Sequence, residues 1–261
     1  PSVFGAAVLG VPVYIHEQNA LAGKANVFLS KFARGVFTSY ESSMQSFGDK
    51  AVLTGNPSRY EGIERVPAAD ARRQLGLDPD RRTVFIFGGS QGAESINRAS
   101  FELAEKNRDR DDLQLLHLAG EANYEAAVSR YGEILDGAAL RVEVRDFLKD
   151  MELAYFVADV AVCRAGATTI AEITSLGVPA ILVPYPFATG NHQELNAKEV
   201  AAAGAAVLVR DGDLDGRRIH DELAAIFEAP ESLERMSEKS SSLYRFGAAA
   251  KMADIITRHI K

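Results

Sequence analysis

The residues best placed to do chemistry stand first in Gly88-Gly89-Ser90-Gln91-Gly92, between a short apolar run and a helical pattern. The G-x-S-x-G spacing admits two readings. As a nucleophile elbow, Ser90 would need a histidine base and an acid later in the chain, and an oxyanion loop upstream. His220 lies in the amphipathic run "RRIHDELAAIF", His259 among the last residues, and His117 at a strand end, so only His192, in a loop, could serve as base. As an anion loop, the same stretch needs glycines that let the backbone approach closely and N–H groups at a helix start, where the dipole favours negative charge. The Ser90 hydroxyl and the amides of Gln91, Gly92 and Ala93 would then donate to a phosphate. Neither the Lys-Ser/Thr ending of a P-loop nor G-x-G-x-x-G spacing is present, so no ATPase or NAD site is indicated.

A second constellation spans residues 147–186. A strand ends at Cys163, an Arg-Ala-Gly turn follows, and Thr168 opens a helix that carries Glu172 and stops at Gly177 before Pro179. Ile170, Ile173 and Leu176 form an apolar stripe, which places Glu172 off the packed face and close to the strand ends. A carboxylate there can accept from two adjacent ribose hydroxyls. Arg164, at the strand end, is grouped with the donor-binding residues, against the alternative of a surface charge.

The elements that must position these residues alternate. Short β-rich runs at 11–15, 35–38, 51–54, 83–87, 114–118, 142–144, 160–163, 180–183 and 206–209 are separated by longer helical patterns, which predicts parallel sheets covered on both faces. Two prolines and a charged stretch in "NPSRYEGIERVPAADARRQLGL" interrupt the series, placing a domain boundary near 57–70. The first block, 1–58, has too few strands for a complete doubly wound domain, whereas 59–239 can hold one. The 261 residues, 47% of them hydrophobic, are ample for a buried core. A net charge of -7 argues against a nucleic-acid partner. The single cysteine, Cys163, cannot form an internal disulfide and reads as a buried strand residue. No run approaches the ~18 apolar residues of a membrane span.

Taken in order, "IHEQNALAGKAN", "GNPSR", "FGGSQGAESIN", "FLKDM", "CRAGATTIAEITSLGVPAILVPYP" and "NHQELNAKEVAAAGAA" resemble the MurG-type glycosyltransferases of peptidoglycan synthesis, with matches from about residue 3 to 210. The resemblance implies an α/β fold of GT-B type: two Rossmann-like domains with parallel sheets facing across a cleft, the N-terminal one incomplete. It implies transfer of N-acetylglucosamine (GlcNAc) from UDP-GlcNAc to the C4 hydroxyl of undecaprenyl-linked lipid I, giving lipid II. By motif, Ser90, Gln91 and Gly92 would meet the diphosphate, with Arg59 reaching in from the interdomain hinge and Arg164 beside them. Leu148 would present its backbone to uracil, Glu172 would hold the ribose hydroxyls, and Ala167, His192, Gln193 and Asn196 would read the sugar. His16, Glu17 and Asn19 map to the acceptor side, with His16 and Glu17 as catalytic candidates. The family's Gly-rich loop bearing the expected general base would precede residue 2. The C-terminal helix, about 240–261, is expected to pack back on the first block.

The family further implies a cytoplasmic protein, peripheral on the inner face of the membrane and in contact with other cell-wall enzymes. No metal is expected on the diphosphate, where loop amides and the helix dipole face the developing charge. The rival readings are another GT-B enzyme on UDP-GlcNAc, such as a 2-epimerase, and a UDP-sugar-binding module without catalysis of its own. "IHEQNA" argues against the first.

Overall fold

The computed structural model describes residues 2–89 and 92–258. Nine strands are present among them: β1 Tyr14–Glu17, β2 Gly35–Thr38, β3 Ala51–Leu53, β4 Arg82–Phe87, β5 Leu113–Leu118, β6 Arg141–Arg145, β7 Val160–Cys163, β8 Ala180–Leu182 and β9 Ala206–Leu208. They form two parallel sheets, one in the order β1-β2-β3 and one in the order β6-β5-β4-β7-β8-β9. The first strand starts later than the sequence pattern suggested. Gly10 and Val11 close the turn that ends the helix Ser2–Val8, and pairing begins beyond Pro12, so His16 and Glu17 lie inside β1.

Alternation along the strands builds the larger core. Phe85 and Phe87 of β4, Leu116 and Leu118 of β5, Ala161 and Cys163 of β7, and Leu182 of β8 share one face. Val84, Ile86, Leu115, Val160, Val162 and Ile181 share the other. Successive side chains point to opposite faces, so a strand covered by helices on both sides is apolar throughout.

Strand order reverses at β4, which pairs with β5 on one side and β7 on the other. Connections leaving β4 and β7 therefore diverge and open a crevice at the carboxyl ends of the strands, the usual ligand position in such sheets. Phe87 is level with both Leu118 and Cys163, so the glycine loop and the Arg164 turn leave the sheet side by side.

The two sheets are tied by polar contacts. Tyr244 donates to Glu61 Oε2 at 2.6 Å and the Gly247 amide donates to Glu61 Oε1 at 2.7 Å. The helix Ala248–Arg258 then returns to the first sheet, where Lys251 Nζ donates to the Leu53 carbonyl at 2.8 Å. Close by, Arg245 pairs with Glu41 at 3.0 Å.

Candidate donor-binding cleft

The loop after β4 is shaped by its glycines. A Cβ on Gly88 would stand 2.3 Å from the Ala93 nitrogen, and one on Gly92, whose φ is 73°, would stand 2.3 Å from the Ala119 carbonyl oxygen. Only a residue without a side chain fits either place. Ala93 is the N-cap of the helix Glu94–Lys106, so the first-turn amides of Glu94, Ser95 and Ile96 have no intrahelical acceptor. Two details depart from expectation. The Gly92 amide donates to the Gly89 carbonyl at 3.0 Å, closing the turn instead of pointing outward, and the helix starts beyond Ala93. Ser90 and Gln91 lie outside the described residues.

A buried polar network fixes this helix to the sheet. His117 on β5 lies 3.0 Å from Asn97 Oδ1 and 2.9 Å from the Tyr131 hydroxyl. Asn97 Nδ2 donates to the Ala119 carbonyl at 3.1 Å, which leaves Oδ1 as acceptor. His117 must therefore donate through Nε2 and accept from Tyr131 through Nδ1, the neutral tautomer. Burial pushes its pKa down to about 4. Read only as a strand-end residue, His117 proves to be the link between β5 and the helix that carries the loop. The signal was a polar ring within the otherwise apolar "LQLLHL".

Arg164 is not a free cation. Its guanidinium donates to Asp211 at 2.5 Å, to Ser95 Oγ at 2.9 Å and to the carbonyls of Val183 and Pro184, and its side chain is 13% exposed. It braces the crevice from beneath the first helical turn. Asp211 belongs to one of the sequence's Asp-x-Asp triplets, at 78–80, 109–111, 211–213 and 213–215, a pattern able to hold a divalent ion on a diphosphate. The expectation of a metal-free diphosphate rests in part on reading no Asp-x-Asp sequence in the chain, and these four triplets correct that reading. At the triplet joined to the crevice, Asp211 Oδ1 accepts from Arg164 and from the Ser95 hydroxyl at 2.7 Å.

Glu172 lies on the helix Ala167–Leu176, which is capped by Gly177 in the left-handed conformation at φ 65°. Its side chain is 13% exposed, so it is set into the packing and not off it as the stripe suggested. The cause is the helix Met151–Val157, whose Tyr155 donates its hydroxyl to Glu172 Oε2 at 2.7 Å. Arg59 Nε lies 3.6 Å from Oε1, and its guanidinium stacks over the Tyr60 ring at 4.7 Å. Burial raises the Glu172 pKa, while the Tyr155 hydrogen bond and the Arg59 charge pull it back. Helical periodicity could not reveal Tyr155, because it arrives from another element.

Along the rim, the buried Leu148 side chain anchors the loop that follows β6, with Phe147 exposed beside it. Ala167 opens its helix, and its carbonyl accepts from Asn56 Nδ2 at 3.1 Å. His192 and Gln193 lie in the first turn of the helix His192–Ala202, where His192 Nδ1 is 2.8 Å from the Thr189 carbonyl and Gln193 Oε1 accepts from the Tyr185 amide at 2.9 Å. Asn196 is fully buried, against the expectation that it reads the sugar. Its Oδ1 accepts from the Ala20 amide at 2.8 Å and its Nδ2 donates to Asn19 Oδ1 at 3.0 Å, clamping the first block to the second.

Glu17 also has a different task from the expected one. Its two oxygens accept four hydrogen bonds, from the Asn19 amide and side chain, the Gly23 amide and Asn26 Nδ2. At 1% exposure it organises the 17–26 loop and has no oxygen open to a substrate proton. His16 is half-buried with Nε2 3.2 Å from Ser39 Oγ, and burial lowers its pKa against the opposing pull of the Gly55 backbone and Glu17.

The profile described as Glycosyltransferase family 28 C-terminal domain matches residues 83–258, and that of the family's N-terminal domain matches residues 1–38. A curated relative from Bacillus subtilis (strain 168) is 38% identical over 98% of this chain and 70% of its own length. One from Desulforamulus reducens is 39% identical over 98% of this chain and 69% of its own. Both carry the name UDP-N-acetylglucosamine--N-acetylmuramyl-(pentapeptide) pyrophosphoryl-undecaprenol N-acetylglucosamine transferase. The crystal structure of Acinetobacter baumannii MurG superposes with a TM-score of 0.79 at 29% identity, covering 99% of this chain and 71% of that one. A UDP-GlcNAc 2-epimerase from Neisseria meningitidis, bound to UDP-GlcNAc, shares the fold at a TM-score of 0.66 and 14% identity, covering 98% of this chain and 72% of its own.

Proposed function

The chain belongs to glycosyltransferase family 28, and from that membership we propose that it moves GlcNAc from UDP-GlcNAc to the C4 hydroxyl of the undecaprenyl-diphosphate muramyl-pentapeptide, an inverting transfer that yields lipid II. The observation that carries this reading is the 38–39% identity kept over 98% of the chain, through both sheets and not the donor side alone. In this reading residues 1–58 supply the acceptor side and residues 59–239 hold the UDP-sugar. The C-terminal segment ties the two together.

The acceptor hydroxyl, losing its proton, attacks the anomeric carbon, and UDP departs with charge developing on its β-phosphate. The first-turn amides of Glu94, Ser95 and Ile96 and the dipole of that helix are aimed where this charge grows, and Arg164 holds the turn in place. Glu172 takes the ribose hydroxyls, and Arg59 swings from Glu172 toward the diphosphate. With Glu17 committed to its loop, His16 is the acceptor-side imidazole that stays neutral at pH 7 and able to take a proton.

No helix among the described residues is long and apolar enough to cross a membrane. The lipid acceptor is reached instead through a surface patch. Phe4, Val8, Leu9, Phe28 and Phe32 are exposed on the helices Ser2–Val8 and Lys24–Leu29 and the turn that follows, with Phe32 edge-on to both other rings at 5.7 Å. Lys24 and Lys31 flank it, the combination that seats a protein on an anionic lipid surface.

Calorimetric titration with UDP-GlcNAc, with UDP-GalNAc and ADP-glucose as controls, followed by a GlcNAc-transfer assay on a lipid I analogue, tests the reading. Selective saturable binding and a new disaccharide-lipid are expected. Inversion at C2 of the sugar without acceptor would favour the epimerase reading, and no nucleotide binding by a folded sample would refute the donor site.

A further inference from the structure

The contact between Tyr155 and Glu172 has more content than a packing detail. The Tyr155 ring is 2% exposed and meets Phe85, Phe87 and Tyr60 edge-on at 5.7, 6.0 and 5.6 Å. Phe85 and Phe87 belong to β4, the strand whose end carries the glycine loop. The phenol is thus anchored to the same strand that sets the position of the diphosphate, and its hydroxyl reaches across to the carboxylate 2.7 Å away.

Glu172 has a competitor for its attention. Arg59 lies 3.6 Å from Oε1 on an arm 63% exposed, so it is held loosely and can come or go. A carboxylate offers about four acceptor positions. One on Oε2 is used by Tyr155, which leaves its second lone pair and those of Oε1 for a ligand. Were the phenol hydroxyl missing, nothing else among the described residues would stop the carboxylate turning to meet the guanidinium face to face, the geometry that such pairs prefer. That rotation would direct at Arg59 the oxygens that a ribose needs. The Tyr155 hydroxyl stays protonated at neutral pH, because burial and the neighbouring carboxylate raise its pKa, so it remains a donor.

We propose that Tyr155 is a positioning residue for ribose recognition: its hydroxyl fixes the Glu172 carboxylate so that the remaining lone pairs face the vicinal 2′- and 3′-hydroxyls of a uridine nucleotide. The inference rests on the reading of Glu172 as the ribose ligand, and it assigns to Tyr155 the selectivity for ribose over deoxyribose. Phenylalanine in its place keeps every ring contact and removes one O–H.

The test is titration of the 261-residue chain with UDP and with 2′-deoxy-UDP, for wild type, Tyr155→Phe, Glu172→Ala and the double variant, each checked for native circular dichroism. Tyr155→Phe should weaken UDP binding by about tenfold, the scale of a hydrogen bond to a charged group, while changing 2′-deoxy-UDP binding much less. In the Glu172→Ala background the same substitution should have no further effect. Equal weakening for both nucleotides would mean a merely structural role and would overturn the proposal. Unchanged UDP binding in Tyr155→Phe, with a selective loss in Glu172→Ala, would overturn it and leave the ribose reading standing. Unchanged UDP binding in Glu172→Ala would refute the ribose reading itself, and the inference with it.

Discussion

Substitution of His117 by glutamine, followed across pH, isolates one buried imidazole. In the folded protein burial holds its pKa at about 4, against 6.5 for an exposed histidine. Between those values the unfolded chain carries a proton that the folded chain does not, so stability falls as pH falls, by ~1.4 kcal/mol per pH unit. The full loss, reached below the folded pKa, is about 3.4 kcal/mol, and integration between pH 7.5 and pH 5 gives ~2 kcal/mol. Against a total stability of roughly 5–15 kcal/mol that is easily measured. Glutamine can still donate to Asn97 Oδ1 and accept from Tyr131, but it does not titrate. The chain has no tryptophan, so urea transitions at the two pH values are best followed by circular dichroism. The variant will be less stable at pH 7.5, yet its drop on going to pH 5 should be smaller than that of wild type by ~2 kcal/mol. His16 and His220, whose pKa values are also lowered, cancel in the difference. An equal drop in both proteins would refute the assignment of a neutral, buried His117.

Gly92→Ala would drive a Cβ to 2.3 Å from the Ala119 carbonyl at a φ of 73°, so UDP-GlcNAc affinity should fall at least tenfold by calorimetry. Gly76→Ala, with φ 79° and open space around it, should cost only ~1–2 kcal/mol of stability in a urea melt and leave affinity alone. Glu17→Gln replaces an acceptor of four hydrogen bonds by a group that also donates, and should lower stability by ~2–3 kcal/mol in denaturant with donor binding unchanged. Phe28→Ser with Phe32→Ser should abolish most co-sedimentation with anionic vesicles while UDP-GlcNAc titration stays as in wild type.

The alternating pattern of short apolar strands and helices determined the parallel sheets and the interruption between them, because strand and helix periodicities are local properties of the chain. The glycines at 88, 89 and 92 marked a tight loop at a strand end for the same reason, since a missing side chain is visible in the sequence. What a polar side chain does once placed was decided only by tertiary structure. Glu172 and Glu17 are both carboxylates, yet one accepts on Oε2 from a tyrosine of another helix and the other spends all its acceptor capacity on its own loop. Asn196 and Asn19 meet across 177 residues of sequence, and Tyr155 reaches Glu172 from a separate helix. Hydrogen-bond partners are set by distances of about 3 Å between elements far apart in the chain. No pattern in one segment carries that information, so residue types could nominate the candidates and only the fold could assign their tasks.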